Sequence, residues 1–300
     1  MTIRPRRSVL YMPGSNARAI EKARTLPVDA VILDLEDSVA PDAKVTARQQ
    51  VVEAVRAGGF GYREVFVRVN ATDTEWGSDD LTAAAAAAPD VILVPKISTP
   101  GQVELIGQRL LDTHTDLHTR LWAMIETPLA VLNAPAIAAC AKDSETRLSG
   151  LVMGTNDLAK ETRARIVPGR APMAPWLTGC VAAARIYGVD ILDGVYNDIG
   201  DEEGFAVECA EARDMGFDGK TLIHPSQIGP CNAAFSPSPE EVAEARKIID
   251  AFMLPENRDK GVISLDGRMV ERMHAEMAQR IVAIANAIAA KEPLIGGTIA

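Results

Sequence analysis

Aliphatic runs with little polar alternation recur along the first 225 residues of the chain. They read SVLYMP (8–13), AVILDLED (30–37), EVFVRVN (64–70), VILVPKI (91–97), LWAMIET (121–127), LSGLVMGTND (148–157), DILDGVYND (190–198) and KTLIHP (220–225). Such Val/Ile/Leu-rich runs suit strands that are covered on both faces. Segments with helical spacing lie between them. NARAIEKARTL follows the first run, DAKVTARQQVVEAVRAG the second, SDDLTAAAAAA the third and TPGQVELIGQRLLD the fourth. PLAVLNAPAIAACAK follows the fifth, a long stretch ending TGCVAAARIYG the sixth, and EEGFAVECAEARDMG the seventh. A strand–helix unit repeated eight times predicts an α/β fold, the closed parallel (β/α)₈ TIM barrel. An open doubly wound sheet is the main alternative. It usually has fewer strands and a Gly-rich phosphate loop, and neither GxGxxG nor GxxxxGKS/T occurs here.

The barrel pattern is complete near residue 235. Residues 1–235 therefore form the expected catalytic barrel, and residues 236–300 a C-terminal helical extension. Ser238 in SPSPEE is placed to cap a helix over 239–254. A short apolar stretch, VISLDG, and a last helix from about Met269 to Ala290 complete the extension.

Composition narrows the function. Hydrophobic residues make up 47% and charged residues 24%, ordinary values for a soluble enzyme with a large core. The net charge of −10 and the lack of a basic run argue against nucleic acid as a partner. An anionic substrate must instead be met by local cations, a helix N-terminus or a metal. The four cysteines lie far apart without a CxxC pair, which fits reduced thiols in a cytoplasmic protein. The apolar stretch after MTIRPRR is too short for a signal peptide, and no run is long enough to cross a membrane.

In a barrel of this kind chemistry sits where strands end. The polar residues there are Tyr11, Glu36, Asp37, Arg68, Asn70, Lys96, Glu126, Asp157, Asp193 and His224. Charges closing apolar runs are costly unless they pair or bind something. Glu126 and Asp157 close the neighbouring fifth and sixth strands. Two carboxylates, with waters and substrate oxygens, suit Mg²⁺, with Mn²⁺ as the other hard candidate. Glu36 and Asp37 are placed to hold the waters of such a metal, and Asp37 alternatively to cap the next helix. Arg68, between β-branched residues, faces an anion or a developing enolate, or else forms a salt bridge to Glu36. The turn MGTND, with the backbone of Gly154, Thr155 and Asn156, leads into a helix whose start can hold a carboxylate. The Met-rich run RMVERMHAEMAQ reads as packing.

These segments are familiar in combination. LYMPGSNARAIEKA, AVILDLEDSVAPDAKVTAR, VRVN, LVPKI, IET and TLIHPSQI together resemble the citrate lyase β-subunit-like (HpcH/HpaI aldolase/citrate lyase) family. That family includes malyl-, citramalyl- and methylmalyl-coenzyme A lyases. The resemblance covers nearly the whole chain, including the tail motif LDGRMVE. It implies that Glu126 and Asp157 ligate magnesium and that Arg68 binds the thioester or enolate oxygen. It implies that the backbone from Gly154 to Asp157 holds the substrate carboxylate. Arg18 and Lys22 would meet coenzyme A phosphates, and His224 and Pro225 would line the pantetheine channel. The C-terminal segment would close as a lid over a neighbouring subunit in a homotrimer or homohexamer.

The tail departs from the family pattern. GxMxDxP, whose aspartate is the acid/base group, becomes GRMVERMH, so Glu271 replaces the aspartate and the proline is absent. GTNDLAKE also differs from the commoner G-x-E-D form. Both variants resemble a branch that includes malyl-coenzyme A thioesterase. The implied activity is thus magnesium-dependent carbon–carbon cleavage or hydrolysis of a small hydroxyacyl-coenzyme A thioester. The alternatives are a citrate lyase β subunit acting on a carrier protein, and a class II 2-oxoacid aldolase that needs no coenzyme A. Arg18 and Lys22 argue against the last.

Overall fold

The computed structural model describes residues 3–291, which divide into two compact units. The first unit is Arg6–Phe235. Its strands are β1 (Ser8–Pro13), β2 (Ala30–Asp34), β3 (Glu64–Arg68) and β4 (Val91–Val94). They continue with β5 (Arg120–Ile125), β6 (Leu148–Met153), β7 (Asp190–Asp193) and β8 (Gly219–Leu222). All neighbours pair in parallel, and β1 closes onto β8 through Val9 and Thr221. The TIM barrel read from the sequence is therefore the fold.

The connecting helices are α1 (Ala17–Ala23), α2 (Lys44–Ala57), α3 (Gly77–Ala87), α4 (Pro100–Asp112) and α5 (Pro128–Ala139). Next come α6 (Thr155–Thr162), α7 (Ala174–Tyr187), α8 (Glu202–Met215) and α9 (Ile228–Ala234). Their starts are written in the sequence. Thr127 accepts from the Ala130 N–H at the head of α5, with Pro128 at the first helical position. Asp201 caps α8 in the same way through Gly204. The strands end earlier than the apolar runs do, because pairing stops at residues such as Asp34 and Met153 and the chain turns away.

Two cores follow from side chains alternating along each strand. Ala30, Ile32, Phe66, Trp122, Met124, Val152 and Leu192 fill the barrel interior. Val31, Leu33, Val67, Ala123, Leu151 and Ile191 pack outward in a second cluster with the helices. Asp193 has the outward parity of Ile191. It is fully buried, and both its oxygens accept from Arg170 Nη1 at 2.8 Å. It also accepts from the fully buried Lys220 Nζ at 2.7 Å, which in turn donates to Glu208 of α8 at 2.6 Å. Asp193 thus ties the loop before α7 to the barrel wall and does not belong to the mouth. Asp193→Ala should destabilise the protein by about 3–5 kcal/mol, because it leaves two buried cations without their shared carboxylate. A urea melt with an unshifted midpoint would contradict that role.

Among the described residues the second unit comprises 3–5 and 236–291. Within it α10 (Pro239–Met253) begins at the Ser238 cap, whose hydroxyl accepts from the Glu241 N–H. A hairpin follows, β9 (Val262–Leu265) and β10 (Arg268–Glu271), and then α11 (Arg272–Ala289). The last helix was expected from Met269; that residue lies in β10. Asp266 and Gly267 carry φ of 52° and 78°, the two left-handed positions of a tight hairpin turn, and they hold Arg268 to Glu271 as a strand. Among the described residues no helix is long and apolar enough to cross a membrane.

Candidate active site

The interior stripes of the strands run out at the C-terminal end of the barrel, where polar groups take over. Two residues beyond Ile32 is Asp34, beyond Phe66 is Arg68, and beyond Met124 is Glu126. They line a cavity of about 300 Å³ together with Tyr11, Gly154 and Asp157.

Arg68 is buried and locked in place. Its Nε and Nη2 donate to the two oxygens of Asp34 at 2.6 and 2.7 Å, and its guanidinium lies 4.6 Å from the centre of the Tyr11 ring. Nη1 is 2.8 Å from Glu36 Oε2 and 3.5 Å from Asp37 Oδ2. Burial alone would raise the Asp34 pKa, but Arg68, Ser38 and the Glu36 N–H bring it below its usual value. The same pairing holds Arg68 well above the ordinary arginine range despite its burial. Lys44 of α2 pins the loop beneath by donating to the Leu35 and Glu36 carbonyls and to Asn70. Asn70 in turn bonds Asp80 and the Leu35 carbonyl, so it braces loops and leaves the cavity to others.

Glu126 is buried opposite. Its Oε1 accepts from the Lys96 N–H at 2.7 Å. Lys96 is left-handed, with φ of 57°, and that conformation turns its N–H toward the carboxylate. Burial, reinforced by Glu36 and Asp157, pushes the Glu126 carboxyl up to about 8. Glu36 is pushed up to about 7, by burial first and by Asp37 and Asp34 after it, against the pull of Arg68. Glu36 Oε2 is buried and accepts no directed hydrogen bond. Carboxylates crowded this way lack positive charge.

A divalent cation fits that shortage. Among the described residues no closed cage of three or more His, Cys, Asp or Glu donors exists, and the cavity lining has carboxylates but neither histidine nor cysteine. Two carboxylates with open positions suit magnesium, which keeps waters and takes substrate oxygens. Gly154 closes against Glu126, since a Cβ at this position would collide with the carboxylate. It is also the N-cap of α6, whose first N–H groups, from Thr155 onward, have no partner within the helix.

The other expected residues fall elsewhere. Arg18 and Lys22 are exposed on α1, next along the chain from Tyr11. His224 and Pro225 follow Ile223, which lines the cavity just beyond the end of β8, the strand paired with β1. His224 is exposed, and its Nδ1 accepts from the Ser226 N–H. Glu271 belongs to the C-terminal unit, where its carboxylate accepts from the backbone at the third position of α11 and its own N–H donates to His274 Nδ1. Sequence reasoning passed over Asp34, the partner that fixes Arg68, and gave Lys96 no role. The two-residue step from Ile32 was the signal available for Asp34.

The sequence profile of the HpcH/HpaI aldolase/citrate lyase family matches residues 7–225. The (3S)-malyl-CoA thioesterase of Cereibacter sphaeroides (strain KD131) is 49% identical over 286 residues, 95% of this chain and 96% of that protein. The citrate lyase subunit beta of Escherichia coli (strain K12) is 36% identical over 89% of each chain. The structure of CitE from Mycobacterium tuberculosis in complex with magnesium, acetoacetate and coenzyme A superposes with a TM-score of 0.75. It is 29% identical and covers 94% of this chain and 98% of its own. With its barrel, its mouth of arginine and carboxylates, and these matches along nearly its full length, the chain belongs to the HpcH/HpaI aldolase/citrate lyase family of enzymes.

Proposed function

We propose that this enzyme hydrolyses a small hydroxyacyl-coenzyme A thioester of the malyl-CoA type in a magnesium-dependent reaction. The observation that carries the reading is the arrangement at the mouth: a fixed guanidinium in one cavity with Asp157 and with Glu126, whose carboxyl is buried and charge-starved. The 49% identical thioesterase supports hydrolysis over the other reactions of the family.

Glu126 and Asp157 would hold magnesium, which when bound supplies Lewis-acid polarisation at the carboxylate end of the substrate. The N–H groups of the Gly154–Asp157 turn receive that carboxylate. Arg68 Nη1 offers a donor to the thioester oxygen as negative charge grows there. Arg18, Lys22, His224 and Pro225 form the side from which coenzyme A is bound. In hydrolysis, water adds to the thioester carbonyl, the carbon–sulfur bond breaks and the thiolate takes up a proton, giving malate and free coenzyme A. Glu271 is assigned the proton transfer. In the second reading, supported by the citrate lyase β relative, the same Arg68 faces the thioester oxygen while the carbon–carbon bond breaks. Glyoxylate and acetyl-coenzyme A then leave.

Incubation with malyl-CoA and magnesium, with free thiol and glyoxylate measured separately, decides between them. Thiol without glyoxylate is expected; glyoxylate without thiol would establish cleavage, and neither product would remove the reading. Glu271→Asp should raise the ratio of glyoxylate to thiol, and Glu271→Ala should depress both. Wild-type behaviour in both variants would leave Glu271 only its cap on α11.

A further inference from the structure

α5 and α8 begin with a side-chain cap, but α6 does not. Its N-cap is Gly154, which has no side chain to accept from the first N–H groups. α6 is also short, Thr155–Thr162, and an isolated helix of that length is unstable in water. Yet its first turn carries Asn156 and Asp157, and the magnesium and carboxylate sites assigned above depend on where that turn stands. A contact from outside the helix must fix it.

The loop after β7 supplies that contact. Asn156 Nδ2 donates to Asn197 Oδ1 at 3.0 Å, and Asn197 Nδ2 donates back to Asn156 Oδ1 at 2.7 Å. Gly194, where the same loop leaves β7, is buried, and a Cβ there would collide with the Thr155 hydroxyl and the Met153 carbonyl. The loop is itself held from the β8 side. Thr221 Oγ1 donates to the Asp193 carbonyl at 3.0 Å. The buried Gln227 donates from Nε2 to the Tyr196 carbonyl at 3.0 Å, one residue before Asn197. Gln227 Oε1 accepts from the Ile223 and His224 N–H groups at 3.0 and 3.3 Å. Side-chain amides therefore link the loop after β8, through the loop after β7, to the head of α6.

The loop after β7 gives the catalytic cavity only Val195 and Asn197, neither of them charged. We infer that Asn197 is a positioning residue: its amide, backed by Gln227, holds Asn156 and so fixes the first turn of α6, with Asp157 in place before metal and substrate arrive. Neutral amides suit this task, because they grip the turn without adding charge beside the crowded carboxylates of the mouth. Asn156 and Asn197 are both exposed, so the pair contributes little to global stability and its effect stays local to the turn. The consequence for metal binding rests on the assignment of Asp157 above; the ordering of the turn does not.

Two measurements on Asn197→Ala, Asn156→Ala and the double variant test the inference. Hydrogen exchange of the 154–162 segment is followed in the metal-free protein, and Mn²⁺ affinity by electron paramagnetic resonance. In Asn197→Ala the amides of α6 should exchange at least about fivefold faster, the scale of one net hydrogen bond. Mn²⁺ should bind about tenfold more weakly, the cost of losing a group that orients a metal ligand. Asn156→Ala should match it, and the double variant should be no worse than either single, because the two side chains act as one unit. The urea midpoint should stay where it is in all three. Unaltered exchange, intact Mn²⁺ affinity, effects that add in the double variant, or an affinity loss that tracks a fallen urea midpoint would each overturn the inference. If exchange rises as expected while wild type binds no Mn²⁺, the magnesium reading fails and the positioning of the turn stands.

Discussion

Glu126→Ala should abolish magnesium-dependent turnover while leaving the barrel folded. Glu126 offers the cavity a carboxylate whose position is set from two sides, by the Lys96 N–H and by the absence of a side chain at Gly154. A polarising cation is worth several kcal/mol to a developing charge, so kcat/KM should fall by about a thousandfold or more. Mn²⁺ binding followed by electron paramagnetic resonance gives a second readout, and the variant should lose it. Gly154→Ala should act in the same direction, because its methyl group displaces the carboxylate. Stability should move the other way. In the metal-free protein the Glu126 pKa is raised from the ordinary glutamate value to about 8 by burial and by Glu36 and Asp157. Between those two pH values the folded chain holds a proton that the unfolded chain has released. Stability therefore falls as pH rises through that window, and the penalty is complete above it. Glu126→Gln removes this penalty, so the chelated variant should melt above chelated wild type at pH 8 and should lose the part of the slope that Glu126 carries, while the part from Glu36 remains. Near-normal turnover with intact Mn²⁺ binding would end the assignment of Glu126 to the metal.

The barrel was legible because its signal is redundant: eight aliphatic runs need two covered faces each, and one closed parallel sheet satisfies them all. The mouth was legible in part. Arg68 and Glu126 stand out as single charges closing long apolar runs. Asp34 does not, because Glu36 and Asp37 follow it and draw the eye to the exposed end of the loop. Counting in twos from Ala30 and Ile32 selects Asp34, and counting in twos to Leu192 rejects Asp193. Parity therefore carried information that position at the strand end did not. Other features had a local signal of a different kind. Asp266-Gly267 marks the hairpin before α11, which a helical pattern of methionines obscured. Lys96 had none, since a left-handed lysine carries no glycine to announce it and is held there by its surroundings.

Arg68→Lys should lower kcat by at least about tenfold with a much smaller change in KM, the scale of one lost charge-assisted contact made as the reaction proceeds. The reason lies in how the guanidinium is divided. Nε and Nη2 are committed to Asp34, and Nη1 remains on the side of Glu36 and the cavity. The fork lets one group keep its anchor and present a donor at once, with its carbon 4.6 Å from the centre of the Tyr11 ring. A lysine ammonium is a single point. If it stays with Asp34 it retreats from the substrate, and if it reaches the substrate it leaves Asp34 buried without its partner. Asp34→Ala separates anchoring from presentation, because it keeps the guanidinium and removes what aims it. It should cost about 3–5 kcal/mol in a urea melt, the penalty for removing one partner of a buried ion pair, and should lower kcat as Arg68→Lys does. An effect of Arg68→Lys confined to KM would make Arg68 a ground-state binding group. A kcat loss in Arg68→Lys with unchanged kcat in Asp34→Ala would mean that Tyr11 and the barrel wall aim the guanidinium without Asp34.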